Sequence, residues 1–184
     1  ALIGPAIKQQ EFGDYTCTPE EAQAVTIYDG VVEKIGKDAV LYARGCEFMD
    51  DNTDGIAEAV QVAQQADVVI VALGDCDRST GENNDRADLH FILEYAAEHA
   101  KAILESWFSG EEGGHAVADI LFGDVCPTGK LPITFPRSME QLPLYYNYHM
   151  SGRKYDYLDQ TSVPRYRFGY GLSYSTFAYS ELRA

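Results

Sequence analysis

The run Asp67-Val68-Val69-Ile70-Val71-Ala72-Leu73-Gly74 constrains this chain most. A strand with one wet face alternates apolar and polar residues. This run does not alternate. Continuous Val, Ile and Leu suit a strand covered on both faces, as in a parallel sheet packed between helices. The neighbouring segments agree. Thr18-Pro19-Glu20-Glu21 has the form of a capping box, and apolar residues recur at Ala24, Ile27, Tyr28, Val31, Val32 and Ile35. That spacing predicts a helix within 19–35, stopped at Gly36. Residues 39–43 read as a short strand, 55–65 as a helix and 67–74 as the next strand. A short helical stretch near 92–100, an apolar strand at 102–108 and a helix at 114–122, closed by Gly123, follow. Strands alternating with helices predict an α/β fold with a mostly parallel sheet flanked by helices.

From Pro127 the pattern changes. Pro127-Thr128-Gly129-Lys130-Leu131-Pro132 is a turn that leads into the extended run Ile133-Thr134-Phe135. Residues 137–175 carry prolines, glycines and aromatics without periodicity, and 176–182 look like a strand with no partner left in the chain. Of the 13 tyrosines, 9 lie after residue 144. Tyrosines there would stack on sugar rings or simply pack.

Size and charge narrow the function. A chain of 184 residues fits one domain. The net charge of −15 and pI near 4.5 argue against nucleic acid and anionic membranes as partners, since both repel such a surface. No apolar run approaches the roughly 20 residues of a membrane helix. The acid is concentrated in residues 1–92, which hold 18 acidic and 6 basic residues. Cys17, Cys46, Cys76 and Cys126 are scattered, with no zinc-ligand spacing, and read as free thiols with at most one bridge. Ala1-Leu2-Ile3-Gly4-Pro5 has no charged n-region and is not a signal peptide. It reads as a strand end, so the chain is expected to begin inside something larger. Acidic pI and four cysteines fit either cytoplasm or export.

Several chemistries lack their residues. His90, His99, His115 and His149 stand in no metal-binding motif, no serine sits on a nucleophile elbow, and no GxGxxG follows a strand. The acidic loop 47–55 lacks calcium-loop spacing. The Gly110-Glu111-Glu112-Gly113-Gly114 turn lacks the Lys and Ser/Thr of a phosphate cradle, and its glutamates would repel phosphate. What remains is carboxylates. In parallel α/β sheets ligands bind beyond the carboxyl ends of the strands. The segment leaving the 67–74 strand is a long polar loop, and such loops are uncommon unless functional or disordered. It carries Glu82, flanked by Gly81. A glutamate there would serve as general acid and base, or be a solvated loop residue. Asp85 and Arg86 would form a local ion pair that shapes the loop.

Gly81-Glu82-Asn83-Asn84-Asp85-Arg86-Ala87-Asp88-Leu89 resembles the glycoside hydrolase family 3 pattern G-E-x-x-D-R-x-x-L. Residues 103–114 (ILESWFSGEEGG) are similar to that family's strand-turn-helix, as are 118–132 (ADILFGDVCPTGKLP). Residues 168–177 (FGYGLSYSTF) match its C-terminal signature, and Ile3-Gly4-Pro5 with Gly13-Asp14-Tyr15 fits its opening. The motifs run in order almost end to end. The resemblance implies the family's second domain, an α/β sandwich. Its partner would be an N-terminal (β/α)₈-like barrel carrying the aspartate nucleophile. It implies Glu82 as acid/base, with Asp85 and Arg86 shaping its loop or binding substrate. The substrate would be a β-linked oligosaccharide or aryl glucoside, with xylosides and arabinosides in related branches. Two carboxyl groups suffice for that chemistry, so no metal or organic cofactor is expected.

The expected organisation is a sandwich domain at 1–136, an irregular cross-over segment at 137–175 packing on it, and the start of a fibronectin-III-like domain at 176–184. The stretch near 90–95 is too short for the helix, buried strand and glycine turn that members place there. Two other functions fit parts of the pattern. A non-catalytic sugar-binding or structural module fits a chain lacking the nucleophile. A flavodoxin-like phosphate binder fits the α/β pattern but lacks a glycine-rich loop.

Overall fold

The computed structural model describes residues 1–184 except Glu11, Asp14, 18–23, 85–92, 148–155, Leu182 and Ala184. The chain divides into two compact units. One comprises Ala1–Asp85 and Glu105–Val125, the other Arg86–Leu104 and Cys126–Ala184.

The first unit is the α/β unit the sequence predicts. Strands β1 (Leu2–Ile3), β2 (Tyr42–Ala43) and β3 (Ile70–Val71) form a parallel sheet in the order β2-β1-β3. Leu2 pairs with Tyr42 on one side and Ile70 on the other. The chain thus steps from β1 to β2 and crosses back over β1 to reach β3. Helices α1 (Ile27–Ile35), α2 (Ile56–Ala63) and α4 (Gly113–Phe122) belong to the same unit, while α3 (Leu93–His99) lies in the other. The core is Leu2, Ile7, Val31 and Ala118, with Ile27, Tyr28, Val40, Tyr42, Ile70 and Ala72 packed against it. Fully burying a large aliphatic side chain contributes about 1.5–3 kcal/mol.

Helix α1 starts later than the apolar spacing alone suggests. Its N-cap is Thr26, whose hydroxyl accepts from the Asp29 N–H while the Asp29 carboxylate accepts from the Thr26 N–H. This is a capping box with Asp in the usual Glu position. The Thr18-Pro19-Glu20-Glu21 box lies outside the described residues. Helices α1 and α4 meet through glycines. A Cβ on Gly114 would run into the carbonyl of Thr26, and one on Gly30 into the carbonyl of Gly114. Absent side chains let the two backbones touch. Lys34 then bridges Asp119 and Asp124, at 2.5 Å each.

Two expectations need correction. The 67–74 run forms a ladder only at Ile70–Val71, and β3 is a sheet edge, with Val69 and Val71 exposed. Residues 102–108 form no strand, so nothing among the described residues pairs with the outer side of β3. An apolar run records the environment it suits. It does not supply the neighbour that would create that environment.

The second unit is mostly irregular. Its extended segments are held by backbone hydrogen bonds. The Leu131 N–H donates to the Tyr170 carbonyl (2.8 Å), Gly169 to Leu131 (2.8 Å), Phe135 to Tyr166 (2.8 Å) and Arg165 to Phe135 (2.9 Å). Phe135 and Tyr166 form an antiparallel bridge, and their rings lie edge to face. Gln141 is buried and accepts from the Arg137 N–H while donating to the Thr161 carbonyl. Arg165 pairs with Glu94 of α3 at 3.0 Å. The strand expected at 176–182 is absent from 176–181, the part of it described. No helix among the described residues is long and apolar enough to cross a membrane.

Candidate active site

The strand order reverses at β1, so the crevice beyond the carboxyl ends of β1 and β3 is where an α/β sheet of this topology opens to ligands. Two loops leave those ends. The loop after β1 passes through Gly4, whose φ of 119° only glycine adopts readily. The loop after β3 carries Glu82. The Gly13 N–H donates to Asp77 Oδ1 at 3.1 Å and ties the two loops together.

The first turn after β3 is folded around Ser79. Its hydroxyl accepts from the Cys76 N–H at 3.0 Å and lies 3.1 Å from Asp75 Oδ1. The Ser79 N–H donates to the Cys76 carbonyl at 2.8 Å, and the Thr80 hydroxyl donates to the same carbonyl. Cys76 itself is buried beneath this turn. Short hydroxyl and carboxylate side chains that bond nearby backbone are the usual means of fixing a tight turn. Gly81 then takes φ 102° and Asn83 φ 68°. Two left-handed residues flank Glu82 and set the direction of the chain through it. The Asn84 N–H closes the turn on the Gly81 carbonyl at 3.2 Å, and its side-chain amide donates to the Thr80 carbonyl at 2.7 Å.

Glu82 is therefore exposed at the tip of a braced loop at the carboxyl end of the sheet. Asp85 and Arg86 lie outside the described residues. The brace formed by Asp75, Asp77 and Ser79 was not singled out from sequence. Its signal was there, since Asp and Ser just after a strand are turn-forming residues.

A general acid must hold its proton near neutral pH, which carboxyls do when water is excluded. A glutamate exposed on a fixed loop suits a site completed by a second surface. The arrangement can present one carboxyl group, held by backbone geometry, to a ligand above the sheet. All four cysteines are free thiols.

The family model described as "Glycosyl hydrolase family 3 C-terminal domain" matches residues 1–92 and 90–174. The chain belongs to that family, as the motifs around Glu82 and at 168–177 imply. It is 33% identical over 243 residues to a periplasmic beta-glucosidase of Salmonella typhimurium, covering 99% of this chain and 32% of that protein. It is 32% identical over 221 residues to a beta-xylosidase of Formosa agariphila, covering 97% of this chain and 30% of the relative. The fold superposes on the crystal structure of a beta-glucosidase from Listeria innocua in complex with isofagomine, with a TM-score of 0.86 and 27% identity. That match covers 95% of this chain and 30% of the Listeria chain. The chain thus spans about a third of the length of the curated relatives it matches.

Proposed function

We propose that this chain is the α/β sandwich domain of a retaining, exo-acting β-glycosidase that removes terminal β-D-glucosyl residues. In this reading Glu82 supplies the acid/base carboxyl. The nucleophilic aspartate sits on a barrel domain that this sequence does not contain. The observation that carries the reading is the position of Glu82, on a braced loop at the carboxyl end of the sheet and within the family's motif. The chemistry follows from two carboxyl groups about 5–5.5 Å apart. The aspartate attacks the anomeric carbon while Glu82 protonates the departing oxygen. Glu82 then takes a proton from the water that releases the sugar. Asp85 and Arg86, three and four residues on, would shape the loop or contact substrate. The chain alone, with one of the two carboxyls, would be inactive.

We also infer the domain organisation given above, with a shortened stretch near 90–95. Two findings support the shortening. The family model matches in two segments that meet at 90–92, and the Salmonella alignment runs over 243 residues against 184 here.

The experiment is Glu82→Ala in the full-length protein that carries this chain. The expected loss in kcat is about 10²–10⁴-fold, the range for a general acid–base group. Azide should then restore part of the turnover of an activated aryl glucoside, because a small anion needs no base to attack the glycosyl intermediate. Full activity in this variant would remove Glu82 from the mechanism. A second substrate class has its own support, since a Formosa relative is named a beta-xylosidase. Comparing kcat/KM for p-nitrophenyl β-glucoside, β-xyloside and α-arabinoside decides among them.

A further inference from the structure

The second unit holds a cleft of about 250 Å³ lined by Pro132, Ile133, Thr134, Leu144, Tyr145, Tyr146, Asn147 and Phe168. We propose that it binds one neutral pyranose ring of a saccharide, stacked on the outward face of Tyr146, which Phe168 backs. This goes beyond the role of Glu82 and rests on the glycosidase reading only for the identity of the sugars.

Three observations carry it. First, the aromatic faces are open. Tyr145 is 61% exposed, Tyr146 73% and Phe168 48%. The Tyr146 and Phe168 rings pack on one another, with centroids 4.8 Å apart and a 31° tilt, so Phe168 backs Tyr146 and the outward face of Tyr146 is the apolar surface of the cleft. Exposed aromatic surface gathered in one cleft, rather than scattered singly, marks an interaction site. Second, among the described residues no lining residue is charged, in a chain of net charge −15. A formally charged ligand would find no counter-ion among these described residues, whereas a neutral ring with an apolar C–H face and hydroxyl edges matches the Tyr146 ring, the Asn147 amide and the Thr134 hydroxyl. Ligand sites generally combine an apolar lining with a few placed polar groups. Third, the frame is hydrogen-bonded. The backbone bonds joining Leu131 to Gly169 and Tyr170, and Phe135 to Arg165 and Tyr166, fix both walls, and buried Gln141 anchors the chain before Leu144. A preformed platform loses little entropy on binding. The volume falls below the roughly 300–1,000 Å³ of a drug-sized site, which fits one ring rather than a buried chain.

The test is calorimetric titration of cellobiose and xylobiose into the full-length protein, with isofagomine held at saturation to occupy the glycosidase site. The expected result is one remaining binding event, weakened at least tenfold by Tyr146→Ala and kept by Tyr146→Trp, which widens the stacking face. Absence of a remaining event overturns the proposal. So does an event indifferent to Tyr146→Ala, or binding of p-nitrophenol without either sugar, which would make the cleft an aglycone or general apolar site. Should Tyr146→Ala lower the melting temperature, Tyr146→Trp decides: binding retained supports the platform, and binding lost in a native fold sinks it. Turnover of p-nitrophenyl β-glucoside on the same protein reports the glycosidase reading separately. If that turnover is absent, the titration without isofagomine still tests the cleft.

Discussion

The two units reach order by different routes. In the first, apolar side chains from a sheet and two helices converge on Leu2, Ile7, Val31 and Ala118. In the second, backbone hydrogen bonds and ring pairs hold irregular segments, while Tyr145, Tyr146, Leu172, Tyr174 and Phe177 stay exposed. The difference teaches where each kind of residue does its work. Aliphatic residues at a repeating period build a core. Aromatic residues without a period leave faces available for a ligand or for another part of the protein.

Leu2→Ala is the strongest way to press on this contrast. Leu2 is 2% exposed in the central strand, so a loss of roughly 2–5 kcal/mol is expected from transfer and cavity terms together. Leu158→Ala in the second unit should change stability by less than about 0.5 kcal/mol, because its side chain is fully exposed. Urea unfolding of both variants gives the comparison. Equal losses would mean that the second unit has its own core at Leu158.

A smaller effect tests the local rule that starts α1. Thr26→Ala removes the capping hydroxyl and should cost about 1 kcal/mol, with Thr26→Ser recovering most of it. Denaturant midpoints for the three proteins measure this. If Thr26→Ala matches the wild type, the helix is set by packing against α4 and the cap adds nothing.

The sequence was legible where one period rules. The helices read at 55–65 and 114–122 lie within two residues of Ile56–Ala63 and Gly113–Phe122, and Gly123 ends the second with its left-handed φ of 83°. Helix α1 was legible as a helix but not in its start, because its capping box at Thr26 carries Asp29 where the usual pattern has Glu or Gln. The strands were legible as apolar runs and misread in extent, because a ladder needs a partner that no single segment encodes. Of the candidate site, Glu82 was legible by its motif. Of its brace, Asp75 and Ser79 left a local turn signal, but the bond from Gly13 to Asp77 left none, because it joins residues 64 positions apart. The aromatic cleft was legible only as a tyrosine bias, since 131–135, 144–147 and 168 meet through folding alone.

The smallest expected effect is a pH dependence confined to the first unit. His115 sits in the first turn of α4, with Nδ1 2.6 Å from Glu112 and Nε2 2.8 Å from Glu33 of α1. Hydrogen bonds to Glu112 first, and Glu33 second, hold its pKa above the usual histidine value. The positive end of the α4 dipole opposes the imidazolium, and the two carboxylates outweigh it. A raised folded pKa means that the stabilisation is fully present below the unfolded value near 6.5. It is lost as pH rises through the folded value. Above that value Glu33 and Glu112 face a neutral ring and no longer gain from it. The site is exposed, so the effect is small and salt weakens it further. Melting temperatures of the wild type and His115→Gln at pH 5.5 and 8.5, in low and high salt, check the sign. The wild type should exceed the variant at pH 5.5 and approach it at pH 8.5, with a smaller gap in high salt. A gap that is constant with pH would assign His115 to packing rather than to charge, and would leave the glycine contact and the Lys34–Asp119 pair as the ties between α1 and α4.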